Sequence, residues 1–187
     1  MTVESNRGRL AGHTVGMLLA AGVEDLEYHV PRMRLQEEGA EVVTIATALD
    51  PVTGKNGLEM TPEVLVEDVR AEDLLGLVVP GGWAPDRLRR SAAVLALVRA
   101  VHEAGRPVGI ICHGGLVAIS AGIVAGERAT GSLGIKDDLV NAGAEWVDEP
   151  AFRQGNLVWG RVVADIPAFN RELVSSLVEA AAAARTR

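Results

Sequence analysis

The chain has 187 residues, of which 48% are hydrophobic and 3% aromatic, and its formal net charge is −7 at pH 7. This length fits one well-cored domain, and the negative charge opposes binding to nucleic acid or to an anionic membrane. No apolar run approaches the roughly 18 residues that cross a bilayer, so we expect a soluble protein. The polar N-terminal residues do not resemble a signal sequence, and the single cysteine cannot form an intrachain disulfide. Both features predict a cytoplasmic location.

Segments with strand character and segments with helix character alternate along the chain. Residues 1–12 are predicted to be a flexible leader, and residues 13–187 to form a single domain. Continuous apolar runs predict strands that are covered on both faces, whereas apolar residues at helical spacing followed by glycine predict helices. The predicted elements are strand 14–20, helix 24–38, strand 42–46, a hairpin-like excursion within 50–68, strand 74–80, helix 91–104, strand 107–111, a short helix to 121, a polar helix near 136–142, two strand-like pieces around a turn at 154–156, and a final helix.

The alternation of strands and helices predicts an α/β fold, with a parallel sheet, right-handed crossovers and helices on both faces. In helix 24–38, Leu26, Val30 and Met33 follow the spacing of an apolar stripe. The ligand crevice of such a sheet lies beyond the carboxyl ends of the strands. The polar residues to inspect are therefore those that follow the apolar runs, namely Glu24, Trp83, Asp86, Cys112 and His113.

Cys112, the only cysteine, lies at the corner where the strand ending at Ile111 gives way to His113-Gly114-Gly115. A strand–turn–helix corner presents the nucleophile in hydrolases, and the N-terminal end of the following helix favours a thiolate. Free cysteines are also often small buried hydrophobic residues, which leaves a structural role open. The position favours Cys112 as a nucleophile.

A thiol needs a nearby base to attack well, and no histidine follows residue 113. His113 is therefore the principal candidate base, and His29 is a weaker one. Adjacent residues at a turn usually point in different directions, so a hydrogen bond between Cys112 and His113 is not assumed. Asp86 is the best candidate to orient His113, either within one subunit or from a neighbouring subunit.

Glu24 is a second acidic residue at this edge. A partly buried carboxylic acid could donate a hydrogen bond to the Cys112 sulfur, or the residue could simply cap a helix, as Asp25 and Glu27 also could. The glycine pair at 81–82 either forms an ordinary turn or brings backbone N–H groups near a ligand, where the N–H groups of Gly82 and His113 could stabilise an oxyanion.

The sequence contains no phosphate-binding glycine loop ending in Lys-Ser or Lys-Thr, no His-Glu-x-x-His pair and no second cysteine. These motifs hold nucleotide phosphates, catalytic zinc and structural zinc, respectively. We therefore predict no metal and no organic cofactor.

Six segments resemble, in order and spacing, the ThiJ/PfpI family, and within it the PfpI-like intracellular cysteine proteases most closely. They cover the chain from about residue 14 to 175. The matching segments are Gly22-Val23-Glu24-Asp25-Leu26-Glu27, Val79-Pro80-Gly81-Gly82-Trp83-Ala84-Pro85-Asp86, Ile111-Cys112-His113-Gly114, Ile119-Ser120-Ala121-Gly122, Gly134-Ile135-Lys136-Asp137-Asp138 and Asn141-Ala142-Gly143-Ala144-Glu145-Trp146.

The resemblance implies a flavodoxin-like three-layer sandwich with a mostly parallel central sheet and Cys112 at a nucleophile elbow. It implies that Glu24 is the carboxylic-acid partner of Cys112 and that His113 is the neighbouring histidine. The acidic third residue of PfpI-like proteins is a Glu from an adjacent subunit, and the matching Asp86 is one methylene shorter. Similar proteins form dimers that assemble into hexameric rings with sites near the subunit interfaces, so a homo-oligomer is expected.

The sequence departs from the family pattern around the expected substrate, whose binding we assign to Gly82, Trp83, Gly114 and Ser132. Trp83 stands where Arg is common, Gly115 replaces a Pro, and Ser132-Leu133 replaces a Tyr-Pro pair. Loss of a cation and a phenol, with an indole gained, favours a less anionic or more apolar ligand.

Similar proteins are credited with peptide hydrolysis, glyoxalase action on methylglyoxal, deglycation of early carbonyl adducts and isocyanide hydration. All begin with thiolate attack on an electrophilic carbon. The expected function is a cysteine-dependent hydrolase or a glyoxalase/deglycase-type enzyme for a small molecule or peptide. Two alternatives stay open: a lyase or hydratase for an apolar small molecule, and a redox-sensing stress protein in which Cys112 is oxidised.

Overall fold

A seven-stranded sheet forms the centre of the molecule in a computed structural model that describes residues 8–184. The strand order is β10-β11-β7-β6-β1-β2-β5, and adjacent strands are parallel except β10 and β11, which form an antiparallel pair. Two short pairs, β3–β4 and β8–β9, lie outside this sheet. The strands are β1 (Thr14–Leu18), β2 (Glu41–Ala46), β3 (Val52–Thr53), β4 (Glu59–Met60), β5 (Val64–Leu65), β6 (Gly76–Val79), β7 (Val108–Ile111), β8 (Arg128–Ala129), β9 (Glu145–Trp146), β10 (Ala151–Gln154) and β11 (Leu157–Gly160).

Helices flank the sheet, which confirms the predicted α/β class with a mostly parallel sheet. The first and last helices pack against each other, and the second and third both contact the fourth. Among residues 8–184, no helix is both long and apolar enough to cross a membrane. The helices are α1 (Asp25–Glu37), α2 (Ala84–Leu88), α3 (Ala92–Glu103), α4 (Gly115–Ala121), α5 (Lys136–Asn141) and α6 (Ile166–Ala184).

The central strands are buried on both faces, as their continuous apolar runs predict. Every residue of β6 and of β7 is buried. Glycines within these strands make room for the covering layers, since a Cβ at Gly109 would lie 2.9 Å from the Leu173 side chain on α6. Because β1, β6 and β7 are parallel neighbours, their carboxyl ends meet at one edge of this tightly packed sheet.

The helix predicted at 24–38 is observed as α1, but the apolar residues whose spacing predicted it lie on its outer side, since Leu26, Val30 and Met33 are 48%, 37% and 66% exposed. The buried face of α1 instead includes Asp25, Glu27, Tyr28, Pro31 and Leu35. Its polar groups are buried because they have partners; the Tyr28 hydroxyl, for example, lies 2.7 Å from Thr44 Oγ1. Hydrophobicity alone therefore picks the wrong face of this helix.

The predicted leader is also partly wrong, because the chain is already packed against the domain before residue 13. Leu10 is fully buried, and its backbone N–H donates to the carbonyl oxygen of Glu38 at 2.8 Å. Arg9 pairs with the Glu38 carboxylate at 2.6 Å. Residues 1–7 of the predicted leader lie outside the described residues.

Candidate active site

Cys112 lies at the predicted corner, immediately after β7 and at the start of a 3₁₀ turn, Cys112–Gly114. Its φ of 58° is the only positive value at a non-glycine among residues 8–184. Left-handed backbone at such a residue costs about 1–2 kcal/mol and is a mark of functional corners. The turn closes against β6, since a Cβ at Gly114 would lie 2.4 Å from the Val79 carbonyl oxygen.

Glu27, on the first turn of α1, is the acidic residue that acts on the Cys112 thiol. Its side chain is fully buried, and Oε2 accepts a hydrogen bond from the Gly81 N–H at 2.8 Å. Burial raises the pKa of Glu27 to about 7, against the hydrogen bonds from Gly81 and Cys112. Oε1 has no hydrogen-bond partner among the described residues. Near neutral pH, Glu27 can therefore either hold or release a proton beside the sulfur.

Glu24 is bound elsewhere, which corrects its assignment as the carboxylic-acid partner of Cys112. Its Oε2 atom pairs with Lys55 Nζ at 3.1 Å, and its Oε1 atom accepts from Asn56 Nδ2 at 2.7 Å. Glu24 is the N-cap of α1 and has extended backbone, so it precedes the helical turn that carries Glu27. From its position in the sequence, Glu27 is predicted only to cap the helix. Its spacing of three residues from Glu24 was the available signal, because such residues are neighbours on a helix surface.

The thiol of Cys112 is not held as a thiolate by its surroundings, contrary to the expectation from the helix N-terminus. Burial and then the negative charge of Glu27 raise the pKa of Cys112 to about 12, while hydrogen bonds from the backbone of His113 and Gly82 act in the opposite direction. The helix α4 begins only at Gly115, three residues later. Cys112 and Glu27 interact closely and titrate as a pair, so their shared proton decides where the negative charge lies.

His113 contacts the cysteine directly, because its Nδ1 atom lies 3.3 Å from Cys112 Sγ. The two neighbouring side chains are therefore within hydrogen-bonding distance, which their sequence positions alone do not predict. Burial and the positive charge of Lys55 lower the pKa of His113, which favours the neutral, proton-accepting ring. His29, the weaker candidate base, packs edge-on against Tyr28 and does not line the cleft above Cys112.

Asp86 does not orient His113 within the chain. Its exposed carboxylate pairs with Arg90 one helical turn away, and no hydrogen bond joins it to His113 in the described part of the chain. The two residues nevertheless line the same surface depression of about 360 Å³, together with Trp83. The other predicted arrangement, in which a neighbouring subunit supplies Asp86, stays a prediction.

A cleft of about 320 Å³ opens above the sulfur. Its lining combines charged groups with apolar side chains, among them Trp83, which is 64% exposed. Of the predicted substrate-binding residues, Gly82, Trp83 and Ser132 line the cleft and Gly114 does not. The full lining is Glu24, Glu27, Lys55, Gly82, Trp83, Cys112, His113, Ser132, Val162, Val163 and Ala164.

Two parts of this lining were missed by the sequence analysis. Lys55 comes from the turn between β3 and β4, and Val162, Val163 and Ala164 follow β11. The position of 162–164 could have been found, since these residues follow a strand at the carboxyl edge of a parallel sheet. Lys55 had no comparable signal, because the excursion that carries it lies outside the central sheet.

The glycine pair leaves no room for side chains between α1 and the cysteine. A Cβ at Gly81 would lie 2.6 Å from Glu27 Oε2 and 2.9 Å from Cys112 Cβ. Gly82 has a φ of 76°, and a Cβ there would lie 2.4 Å from the Glu24 backbone nitrogen. The N–H groups of Gly82 and His113 hydrogen bond the sulfur, so they also lie where an oxyanion formed at the sulfur would need donors.

Within residues 8–184, no group of three or more His, Cys, Asp or Glu side chains is placed to hold a metal ion. The expected absence of metal and cofactor remains a prediction.

Comparison with known proteins identifies the family. A model of the DJ-1/PfpI family matches residues 13–176. A deglycase of Pyrococcus horikoshii is 41% identical over 160 residues, which cover 86% of this chain and 96% of that protein. YraA of Bacillus subtilis, named as a candidate cysteine protease, is 37% identical over 164 residues, covering 87% of this chain and 97% of YraA.

A comparison with solved structures supports the same family. The two-domain protein of Anabaena variabilis, which contains DJ-1/ThiJ/PfpI-like and ferritin-like domains, matches with a TM-score of 0.87 and 33% identity over 88% of this chain. The chain covers 48% of that protein, or about half its length. The sheet order, the Cys112 corner and these matches agree with the resemblance seen in the sequence: the chain belongs to the DJ-1/PfpI family.

Proposed function

We propose that this protein is a cysteine-dependent enzyme of the hydrolase or glyoxalase/deglycase type, in which Cys112 attacks the carbonyl carbon of a small molecule or peptide. The observation that carries the proposal is the position of Cys112 between Glu27 and His113 at the base of a cleft. The names of the relatives, a deglycase and a candidate cysteine protease, support the same class of chemistry.

The first step is attack by sulfur. Neutral His113 accepts the thiol proton through Nδ1, which lies 3.3 Å from Sγ. The sulfur then forms a bond to the carbonyl carbon, and the π electrons of the carbonyl move to its oxygen. The N–H groups of Gly82 and His113 donate hydrogen bonds to this oxyanion.

Later steps need a group that both gives and takes a proton. Glu27, with a pKa of about 7, is such a group at neutral pH. With a peptide, collapse of the adduct breaks the C–N bond, the amine leaves with a proton from His113, and water hydrolyses the thioester. With a 2-oxoaldehyde, a proton moves from the hemithioacetal carbon to the neighbouring carbon by way of Glu27, and water releases a 2-hydroxy acid.

The test is turnover of methylglyoxal and of fluorogenic peptides by the wild type and by Cys112→Ser. We expect the variant to lose at least about 100-fold in kcat, because hydroxyl is a far weaker nucleophile than sulfur in this setting. Ser175→Ala, which changes a half-buried residue on α6 outside the cleft lining, serves as the matched control and should retain wild-type rates. Undiminished turnover by Cys112→Ser would exclude Cys112 as the nucleophile.

A second candidate activity, a lyase or hydratase acting on an apolar small molecule, is favoured by the exposed Trp83 ring and the apolar wall at 162–164. Large exposed aromatic side chains beside a catalytic group often bind apolar ligands. Trp83→Arg should then shift preference toward anionic substrates, measured as kcat/KM across a panel of neutral and anionic carbonyl compounds. An unchanged ranking of substrates would argue against this candidate.

The protein also self-associates in this proposal, with the site near an interface between two copies of the chain. The support is the exposed apolar row of Leu26, Val30 and Met33 on α1, the same helix that carries Glu27. Sedimentation velocity over a wide concentration range should report a dimer or a larger ring. A monomer at every concentration would contradict it. The cytoplasmic location stays a prediction.

A further inference from the structure

The chain contains two lysines, Lys55 and Lys136. Lys136 is exposed at the start of α5, whereas Lys55 lines the cleft above Cys112. Among the residues that line this cleft, Lys55 is the one permanently cationic side chain. The mechanism above gives it no role, although its charge faces the nucleophile.

Hydrogen bonds of the backbone hold Lys55 at the cleft. The N–H of Lys55 donates to the Val23 carbonyl at 2.8 Å. The buried Asp25 carboxylate accepts hydrogen bonds from the N–H groups of Asn56 and Leu58 at 2.7 and 2.9 Å. Although burial raises the pKa of Asp25, these hydrogen bonds hold it below the usual value. The turn that carries Lys55 is therefore joined firmly to the start of α1.

The approach between this turn and α1 is too close for a side chain at the preceding residue. A Cβ at Gly54 would lie 2.5 Å from Asp25 Oδ1. The turn between β3 and β4 thus places its lysine next to the α1 carboxylates. This close approach explains why an excursion outside the central sheet contributes to the cleft.

Charged groups reach Cys112 from three elements. Glu24 and Glu27 come from the start of α1, Lys55 from the β3–β4 turn, and His113 from the turn after β7. On the far side of His113, Asp86 of α2 pairs with Arg90, and Arg87 lines the same depression. Since His113 is favoured in its neutral form, Lys55 is the positive charge that faces the Cys112–Glu27 pair.

We propose that Lys55 is a positioning residue whose ammonium group stabilises the negative charge shared by Glu27 and Cys112, while Glu24 holds that ammonium group and weakens its effect. The Glu24 contact is a direct ion pair of 3.1 Å, and the Lys55 side chain is 41% exposed. This role rests on the proposed function, in which the Cys112 thiolate is the nucleophile.

Against the effect of burial, the charge of Lys55 lowers the pKa of Glu27, so it favours the ionised form of the Cys112–Glu27 pair. The hydrogen bond and charge of Glu24, followed by the smaller effects of Cys112 and Glu27, raise the pKa of Lys55. Lys55 is therefore an ammonium group at neutral pH and interacts with both members of the acidic pair. Its charge also helps to lower the pKa of His113, which favours the form that accepts the thiol proton.

If Lys55 has this role, two substitutions should change the thiolate fraction of Cys112 in opposite directions. Lys55→Met removes the cation and should reduce the thiolate fraction. Glu24→Gln releases Lys55 from its ion pair and removes a nearby negative charge, so it should increase the thiolate fraction. If Glu24 were instead the acid that stabilises the sulfur, Glu24→Gln would decrease it. The two substitutions therefore separate the two assignments of Glu24.

Alkylation by iodoacetamide measures the thiolate without any substrate. The sulfur forms a bond to the methylene carbon, the C–I bond breaks, and its electron pair leaves with iodide. Because Cys112 is the only cysteine, intact mass follows this one reaction. Rates are measured from about pH 5 to about pH 10, which spans the loss of the first proton from the coupled Cys112–Glu27 pair, near the pKa of about 7 at Glu27. Circular dichroism of each variant confirms that it is folded.

The expected result is a loss of about tenfold in the alkylation rate of Lys55→Met at neutral pH, with the rate profile moved up by about one pH unit. Lys55→Arg keeps the charge and should stay within about threefold of the wild type. Glu24→Gln should react faster than the wild type. Lys136→Met is the matched control, which removes the other lysine far from the cleft and should leave the profile unchanged.

The inference is overturned if Lys55→Met alkylates at the wild-type rate with the same profile, or if Lys55→Arg is as slow as Lys55→Met. Should Lys55→Met not fold, Glu24→Gln decides alone, and a rate below that of the wild type rejects the proposal. A wild-type protein that alkylates as expected but turns over no carbonyl substrate would count against the proposed function and not against this role of Lys55.

Discussion

The Nδ1 atom of His113 lies 3.3 Å from the Sγ atom of Cys112, although the two residues are neighbours in the chain. In an extended strand, successive side chains point to opposite faces. The left-handed backbone at Cys112, with a φ of 58°, breaks this alternation directly after β7. A proton can therefore pass between the thiol and the imidazole without a third residue between them.

The strain at Cys112 predicts an unusual order of stability for two variants that both lack the thiol. Cys112→Gly should be more stable than Cys112→Ala by about 1 kcal/mol, because glycine adopts a positive φ without steric cost. Equilibrium unfolding in urea measures the difference. In the interior of a helix, by contrast, glycine is less stable than alanine.

The matched control is Ala96→Gly, on the exposed side of α3. This change should destabilise the protein by about 1 kcal/mol, because glycine is a poor helix former. Equal stability of the two Cys112 variants would mean that the corner is not strained in solution.

The buried carboxyl of Glu27 predicts a specific dependence of stability on pH. Its pKa is raised from 4.5 to about 7, so the folded protein binds this proton more tightly than the unfolded chain. The resulting stability is complete below the unfolded pKa and is lost as the pH rises through the folded pKa. Glu27→Gln cannot ionise, so between about pH 4.5 and about pH 8 the variant should gain up to about 3 kcal/mol relative to the wild type.

Urea unfolding of both proteins at the two ends of this range provides the measurement. Other titrating groups are common to both proteins and cancel in the difference. Gln retains an oxygen to accept the Gly81 N–H, so the hydrogen bond at 2.8 Å is conserved. A difference that is the same at both pH values would show that Glu27 is not perturbed by burial.

Gly81 predicts a steric effect at the site. A Cβ at this position would lie 2.6 Å from Glu27 Oε2 and 2.9 Å from Cys112 Cβ. Gly81→Ala should therefore destabilise the protein by about 2 kcal/mol and reduce kcat, because Glu27 and Cys112 must move apart to make room for the methyl group. Thermal unfolding and methylglyoxal turnover give the two values.

Gly134→Ala tests the same change in open space beside the site. The nearest atom to its Cβ would be His113 Nε2 at 3.6 Å, an ordinary contact. This control should change stability by less than about 0.5 kcal/mol. Equal effects of the two substitutions would refute the steric explanation.

The exposed apolar row of Leu26, Val30 and Met33 on α1 predicts that a charge placed there weakens self-association of the chain. Met33→Asp should raise the dissociation constant of the oligomer at least about tenfold, because a carboxylate would be buried without a partner at the contact. Val140→Asp introduces the same charge at an exposed apolar residue on α5 and should leave assembly unchanged. Sedimentation velocity that shows no change for Met33→Asp would place the interface elsewhere.

Several elements could be predicted closely because their signals are local. The helix expected at 91–104 is observed as Ala92–Glu103, and the strand expected at 42–46 is observed as Glu41–Ala46. The face of α1 could not be predicted in the same way. Its buried residues include Asp25 and Glu27, whose partners lie in segments far along the chain.

The sequence by itself determined the alternating α/β architecture and the corner that carries Cys112 and His113, because runs of apolar residues and the breaks between them act over a few neighbouring positions. Only the tertiary structure decided that Glu27 rather than Glu24 acts on the thiol, and that Lys55 reaches the cleft. Hydrogen bonds join α1 to the β3–β4 turn across 31 positions of the chain and to Gly81, which follows β6, across 54 positions. The rotation of α1 about its axis and the docking of the turn decide which of several acidic side chains meets the sulfur, and both depend on how distant segments pack together.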